Sequence, residues 1–424
     1  MRRIFVMGLA LCGMLLPQRA DAQLTGVINR LFDYGDCGVA LCLSTDASPG
    51  HGNHFIPALQ ANASNVFDFI GGSIANSVAS FPIASATSGV TFEFDAAGLP
   101  VERRISAGPV FAERAQTLGR GRLHVGANVS GLSFRSVRGV DMSDLEFTFT
   151  HTPGADDVVG DIQFENDLIV VQAELELDLY AANFFASYGV TDNIDVSVSV
   201  PFLHASLWGQ TFAQVQVFGN PAQPAHNFGT TDPRLDATSE ASGSASGIGD
   251  VAARVKMNVF RDQLRGAAVL AEVRLPTGSE EDFLGAGETQ IRLMGIASAR
   301  YGNFTPHVNA GFWMWPGSEQ GNSVLATVGF DQLVTPSVTF SGDIISRIQV
   351  GDGLSVPAPV EVVGRGFVNP TNIPAMKDHQ VDAAVGLKFA PLPFLNLAAN
   401  VLVPLNQGGM RPSAAWTLGL EYHR

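Results

Sequence analysis

From about residue 120 to the C-terminus, apolar and polar residues alternate with a period of two, in segments of roughly ten to fifteen residues. In 194–202 the residues Ile194, Val196, Val198, Val200 and Phe202 are apolar, with Asp195, Ser197, Ser199 and Pro201 between them. In 251–259 Val251, Ala253, Val255, Met257 and Val259 alternate with Ala252, Arg254, Lys256 and Asn258. Successive side chains of a strand point to opposite faces, so one face of each segment suits lipid and the other suits water. The same parity predicts strands at 120–135, 168–189, 194–206, 247–260, 266–276, 288–301, 304–315, 322–334, 337–349, 379–390, 395–405 and 412–424.

Short turns alternate with generally longer connections. The turns are 190–193, 261–265, 302–303, 335–336 and 391–394, and the longer pieces are 136–167, 207–246, 277–287 and 350–378, while 316–321 and 406–411 are brief. Turns on one side and loops on the other are the asymmetry of membrane barrels. A soluble β-sandwich also alternates, but it needs no apolar face on every strand around a ring. The pattern predicts an all-β chain, a transmembrane antiparallel up-and-down β-barrel of about twelve strands, with a mixed N-terminal plug or periplasmic segment. Ser239 to Gly247, rich in serine and glycine, reads as a mobile loop tip. The last segment carries Trp416, Leu418, Leu420 and Tyr422 in alternation, a closing strand of the kind that barrel assembly machinery recognises.

The chain ahead of these strands has another pattern. Arg2 and Arg3, an apolar run from Ile4 to Leu16 and the small-x-small site Ala20-Asp21-Ala22 read as a signal peptide over 1–22, followed by a plug or periplasmic segment over 23–119 and the barrel over 120–424. Phe55 to Phe81 carries a stripe closer to helical spacing, and Val90 to Ile105 reads as a hairpin around Ala97-Gly98-Leu99-Pro100. A partly disordered leader is the alternative for this region. Cys37 and Cys42, in an exported chain, suit a small disulfide loop, with two unpaired thiols as the other reading.

Charge narrows the function classes. The formal net charge is −15, and loss of Arg2, Arg3, Arg19 and Asp21 with the leader takes it to −17, which argues against a nucleic-acid partner. Parity places Glu174, Glu176, Asp178 and Asp195 inward as an acidic wall and Arg254, Lys256, Arg274, Arg292 and Arg300 inward as a basic one. Opposed walls across a narrow aqueous pore would set selectivity by a transverse field; the alternative is that the charges pair inside a filled barrel. His307 falls on the inward parity without a second residue at metal spacing, and Ser279-Glu280-Glu281-Asp282 lacks the spaced ligands of a calcium site. His204 and Ser206 share the lipid-facing parity, a spacing similar to that of outer-membrane phospholipases, but the asparagine that orients the histidine in that family has no match on the neighbouring strand.

Several segments resemble the outer-membrane family labelled the putative MetA-pathway of phenol degradation, or transporter. They are Tyr188-Gly-Val-Thr-Asp192-Asn-Ile-Asp195 leading to Val200-Pro201, Gly247-Ile-Gly249-Asp250-Val251, Leu275-Pro-Thr-Gly278, Gly285-Ala-Gly287 and Phe304-Thr-Pro-His307, covering roughly 110 to 424. The resemblance implies a barrel in the outer membrane that passes small hydrophobic or aromatic compounds. The expected function is a passive outer-membrane channel or uptake protein without catalytic residues or cofactor, its partners being outer-membrane lipid, a small-molecule permeant and the assembly machinery. The competing readings are a closed structural or surface-interaction barrel and a hydrolase using His204 and Ser206.

Overall fold

The computed structural model describes residues 23–34, 41, 43, 66–80, 90–94, 100–104, 111–151, 165–222, 224, 226–229, 232–316 and 321–423. Residues 1–22 and both Cys37 and Cys42 lie outside them, as does most of 23–119. Among the described residues two helices come first, α1 (Leu24–Leu31) and α2 (Val66–Ser80), then a hairpin of β1 (Val90–Phe94) and β2 (Pro100–Arg104). The strands that follow are β3 (Leu123–Val137), β4 (Val140–Asp141), β5 (Leu145–Thr150), β6 (Leu168–Gly189), β7 (Ile194–Gln216), β8 (Asp236–Ile248), β9 (Val251–Arg261), β10 (Arg265–Leu275), β11 (Gln290–Ala299), β12 (Phe304–Met314), β13 (Asn322–Thr335), β14 (Val338–Val350), β15 (Val360–Val362), β16 (Gly366–Val368), β17 (Gln380–Leu392), β18 (Leu395–Pro404) and β19 (Met410–His423).

Twelve of these form a closed antiparallel barrel: β3, β6, β7, β9 to β14 and β17 to β19. Closure is direct, because β3 pairs with β6 on one edge and with β19 on the other, leaving no unpaired rim in the wall. The twelve strands fall where the alternation places them, within a few residues at most ends. Every short turn lies at one end of the barrel and every long loop at the other. By the asymmetry of such barrels, these are the periplasmic and outer ends.

The alternation maps onto the wall as lipid-facing and lumen-facing residues. On β9 Val255, Met257 and Val259 are exposed while Arg254, Lys256 and Asn258 are buried, and on β17 Val385, Leu387 and Phe389 are exposed while Ala384 and Lys388 are buried. Tyr180, Phe184 and Tyr188 face outward on β6 and span about 26 Å along the strand at ~3.3 Å per residue, enough for an apolar belt once tilt is allowed for.

Two strands outgrow that belt. β6 and β7 run on beyond the lipid-facing stretch and pair there with β5 and β8, making an outer extension of the wall. This corrects two sequence expectations. Residues 207–216 and 236–246 are strand, not loop, and Ser239 to Gly247 lies within β8 instead of forming a mobile tip. The inward residues of β8 are Ala237, Ser239, Ala241, Gly243, Ala245 and Gly247, small because α1 docks on them. A Cβ on Gly243 would sit 2.7 Å from Val27 Cγ2, and one on Gly209 of β7 would sit 2.9 Å from Leu31 Cδ1. The wall therefore gave up side chains to let the helix in.

Leu24, Val27, Ile28 and Leu31 form the buried stripe of α1, continued by Phe32 against Phe147 and Phe149 of β5. The carbonyls at the helix C-terminus, which have no intrahelical donor, are met by the wall: Ser239 Oγ donates to Arg30 O at 2.8 Å, and Thr211 Oγ1 donates to Leu31 O. Helix α2 buries Phe69, Ile70, Ile74 and Val78 in the same cluster. An apolar core around α1 and α2 thus fills the outer extension and the lumen beside it, while buried polar and charged side chains line the rest of the lumen.

Candidate functional site

That polar lumen is crossed by the chain itself. Residues 111–120, just ahead of β3, run through it without helix or strand structure, and their backbone groups bond to inward side chains of the wall. Glu113 N–H donates to Asn309 Oδ1 at 2.7 Å, and Asn309 Nδ2 returns a bond to Glu113 O at 2.8 Å. Ala115 N–H donates to Ser298 Oγ at 3.2 Å and Ala115 O accepts from Asn258 Nδ2 at 2.8 Å. Leu118 N–H donates to both oxygens of Asp195, at 3.0 and 3.1 Å, before Arg120 N–H reaches Asp192 Oδ1 in the β6–β7 turn. Arg114 clasps Asp331 with two donors, Nε at 2.9 Å and Nη2 in the companion bond, both side chains buried.

Most lumen charges stand in adjacent pairs of opposite sign. Lys256 Nζ lies 3.5 Å from Glu113 Oε2, and Lys388 Nζ donates to Glu421 Oε1 at 2.9 Å. Arg138 pairs with Asp378 at 2.8 Å and Arg411 with Asp382. Glu272 is shared by three guanidiniums, bonding Arg254, Arg274 at 3.0 Å and lying 3.7 Å from Arg292. His307 is buried and its Nε2 sits 2.7 Å from Asp343 Oδ1. Among the described residues no group of three or more His, Cys, Asp or Glu side chains is gathered as a metal would need.

Arg254, Lys256, Arg274 and Arg292 do line the lumen, and Asp195 faces it from β7. Arg300 lies just past the end of β11 at the periplasmic rim, half-buried. The acidic wall expected on β6 does not exist. Glu174 and Glu176 are exposed on the outer face, and Asp178 shares that face, accepting a bond from Ser133 Oγ. Here the apolar set Leu175, Leu177 and Leu179 points inward. The rule that apolar means lipid fails above the membrane, where the interior is an oily core around α1 and the outside is water.

Sequence parity could have found Glu272, two residues before Arg274 on β10, as well as Asp331, Asp343, Arg347 and Asp382 on their strands. Nothing local marks Glu113 and Arg114, because their role depends on a segment without periodicity lying inside the ring. His204 lies on the outer face, but its Nδ1 pairs with Ser246 Oγ of β8 at 2.7 Å, while Ser206 stands opposite Asp178 and Ser244. The two-residue His–Ser spacing therefore builds no dyad: residues two apart on a strand share a face but do not meet as cross-strand partners do.

Between the thread and the wall of β11–β14 and β17–β19 lies a cavity of about 130 Å³. Its lining combines Arg292, Arg347 and Trp313 with apolar residues, and Ser77 of α2 and Phe111 close it from the N-terminal side.

A closed ring of strands with an apolar exterior and a polar, self-occupied lumen defines the class: a transmembrane β-barrel of the outer-membrane type. No protein-family model matches the chain, and no curated protein matches it, so the phenol-degradation resemblance finds no support there. Among solved structures it is similar to an outer-membrane channel from Pseudomonas putida F1, at 10% identity over 74% of this chain and 99% of that one, with a TM-score of 0.41. It is also similar to a mutant of the monoaromatic hydrocarbon channel TodX, at 10% identity over 81% and 97% of the two chains (TM-score 0.34), and to a FadL homologue from Pseudomonas aeruginosa, at 10% over 72% and 89% (TM-score 0.31). Likeness at this level carries no argument, and the class rests on the geometry of the chain.

Proposed function

We propose that the protein is an outer-membrane channel for passive uptake of small molecules, with its N-terminal segment as the gate. The observation that carries this reading is the nature of the obstruction. Side chains fill a barrel of about eight strands unaided, whereas this ring of twelve keeps a polar lumen blocked by a separable piece of chain held through hydrogen bonds and ion pairs. The segment is not a strand of the ring, so it can shift while every strand of the wall stays paired. The lumen favours permeants that carry polar groups along with an apolar or aromatic body, because charged residues line it beside apolar ones.

Liposomes containing the purified full-length protein should take up small solutes, and planar bilayers should show discrete conductance steps. If both stay silent under all voltages and solutes tried, the channel reading fails. The paired charges would then belong to a filled barrel with a structural or surface role.

A further inference from the structure

Around the 130 Å³ cavity the pairing of charges breaks down. Three guanidiniums surround one indole: the Cζ atoms of Arg292, Arg274 and Arg347 lie 4.7, 5.5 and 5.5 Å from the Trp313 ring centroid. Glu272 serves Arg274 and Arg292, and Asp382 is taken by Arg411. Among the described residues Arg347 has no carboxylate within ion-pairing distance. Its side chain bonds only Asn76 Oδ1, at 3.4 Å, and its Nη2 has no hydrogen-bond partner, although the residue is only 7% exposed. Arg292 Nε is likewise buried without an acceptor.

Leaving a buried cationic donor unmatched is costly, and a site that does so at two guanidiniums lining one cavity is shaped for an anion. The rest of the lining says what is attached to that anion. Leu132, Phe134, Ile345 and Leu402 supply an apolar wall, and a void of this volume is in the size class that accepts one benzene-sized ring.

Resting on the channel reading above, we propose that this cavity is a binding site for a small monocarboxylate with a single aromatic ring. The carboxylate pairs with the guanidiniums of Arg292 and Arg347, both of which line the cavity, and the ring lies against the apolar wall. Because Ser77 and Phe111 complete the cavity, occupancy would be felt by the segment that blocks the lumen.

Benzoate titrated into the full-length protein in detergent should quench tryptophan fluorescence saturably, and Trp313→Phe should remove most of that signal. Benzamide, of the same shape without the charge, should bind at least tenfold more weakly, as should acetate, which keeps the charge without the ring. Arg347→Gln should bring benzoate down to the benzamide level. Equal affinity for benzoate and benzamide, or no saturable binding of benzoate to the unaltered protein, overturns the proposal without needing any variant to fold. The two readings separate by flux. Liposomes that admit neutral solutes while benzoate fails to bind would leave the channel standing and sink the site; tight benzoate binding with no flux of any solute would do the reverse.

Discussion

Substituting Gly243 by valine would dislodge helix α1 from the inner face of β8. A Cβ at this position sits 2.7 Å from Val27 Cγ2 and 3.3 Å from Leu24 Cδ2, both in the buried stripe of α1, and valine adds two methyls beyond that contact. Overpacking of this kind costs about 1–3 kcal/mol, which shifts a docked-to-released ratio by roughly 5 to 150-fold. The wall should be unharmed, because β8 stays paired with β7 through backbone bonds that the substitution does not touch. Two assays read the result. In planar bilayers Gly243→Val should raise the open fraction at fixed voltage, and trypsin should cut more quickly after Arg30, which the docked helix holds against Ser242 O at 3.2 Å. Adding Val27→Ala removes the contacting methyl and should restore both. If the valine variant folds, yet keeps the conductance and the trypsin resistance of the parent, the helix is not held by this close approach.

Arg114→Ala should lower the thermal unfolding midpoint in detergent by leaving Asp331 buried without its cation, a change worth about 3–5 kcal/mol, whereas Arg114→Met with Asp331→Leu should cost much less; equal losses in the two would refute the ion-pair account. Glu272→Gln removes the anion shared by Arg254, Arg274 and Arg292, so the zero-current potential in a KCl gradient should move toward greater anion preference; an unchanged potential would mean that this cluster does not face the permeating path. In the β9–β10 turn, N–H donation from Leu264 and Arg265 holds the Asp262 carboxyl below its ordinary value. Its contribution to the turn is present above the unfolded value of about 3.9 and is lost as pH falls through the lower folded one. Protection factors for amide exchange at Leu264 and Arg265, each taken relative to the intrinsic rate at that pH, should therefore fall on acidification in the parent and be low and flat with pH in Asp262→Asn, and identical profiles would contradict this.

The period of two determined the wall. Alternation needs only neighbouring residues and the pleat, so Val255 and Arg254 declare their faces without reference to anything distant, and the turns declare the strand ends. What the wall encloses was decided elsewhere. Leu175 and Glu174 carry the same local alternation as a membrane strand, yet their faces are reversed in meaning, because polarity shows only that a residue's two sides differ and not which of them is wet. The serine and glycine of β8 look like a loop until α1 is seen lying on them. Glu113 and Arg114 belong to no periodic element, and their bonds to Lys256 and Asp331 join residues more than a hundred positions apart in the chain. Such contacts exist only after the ring has closed around the segment, so no local pattern encodes them, and the cavity at Trp313, bounded by strands from both halves of the barrel, is a property of the closed ring alone.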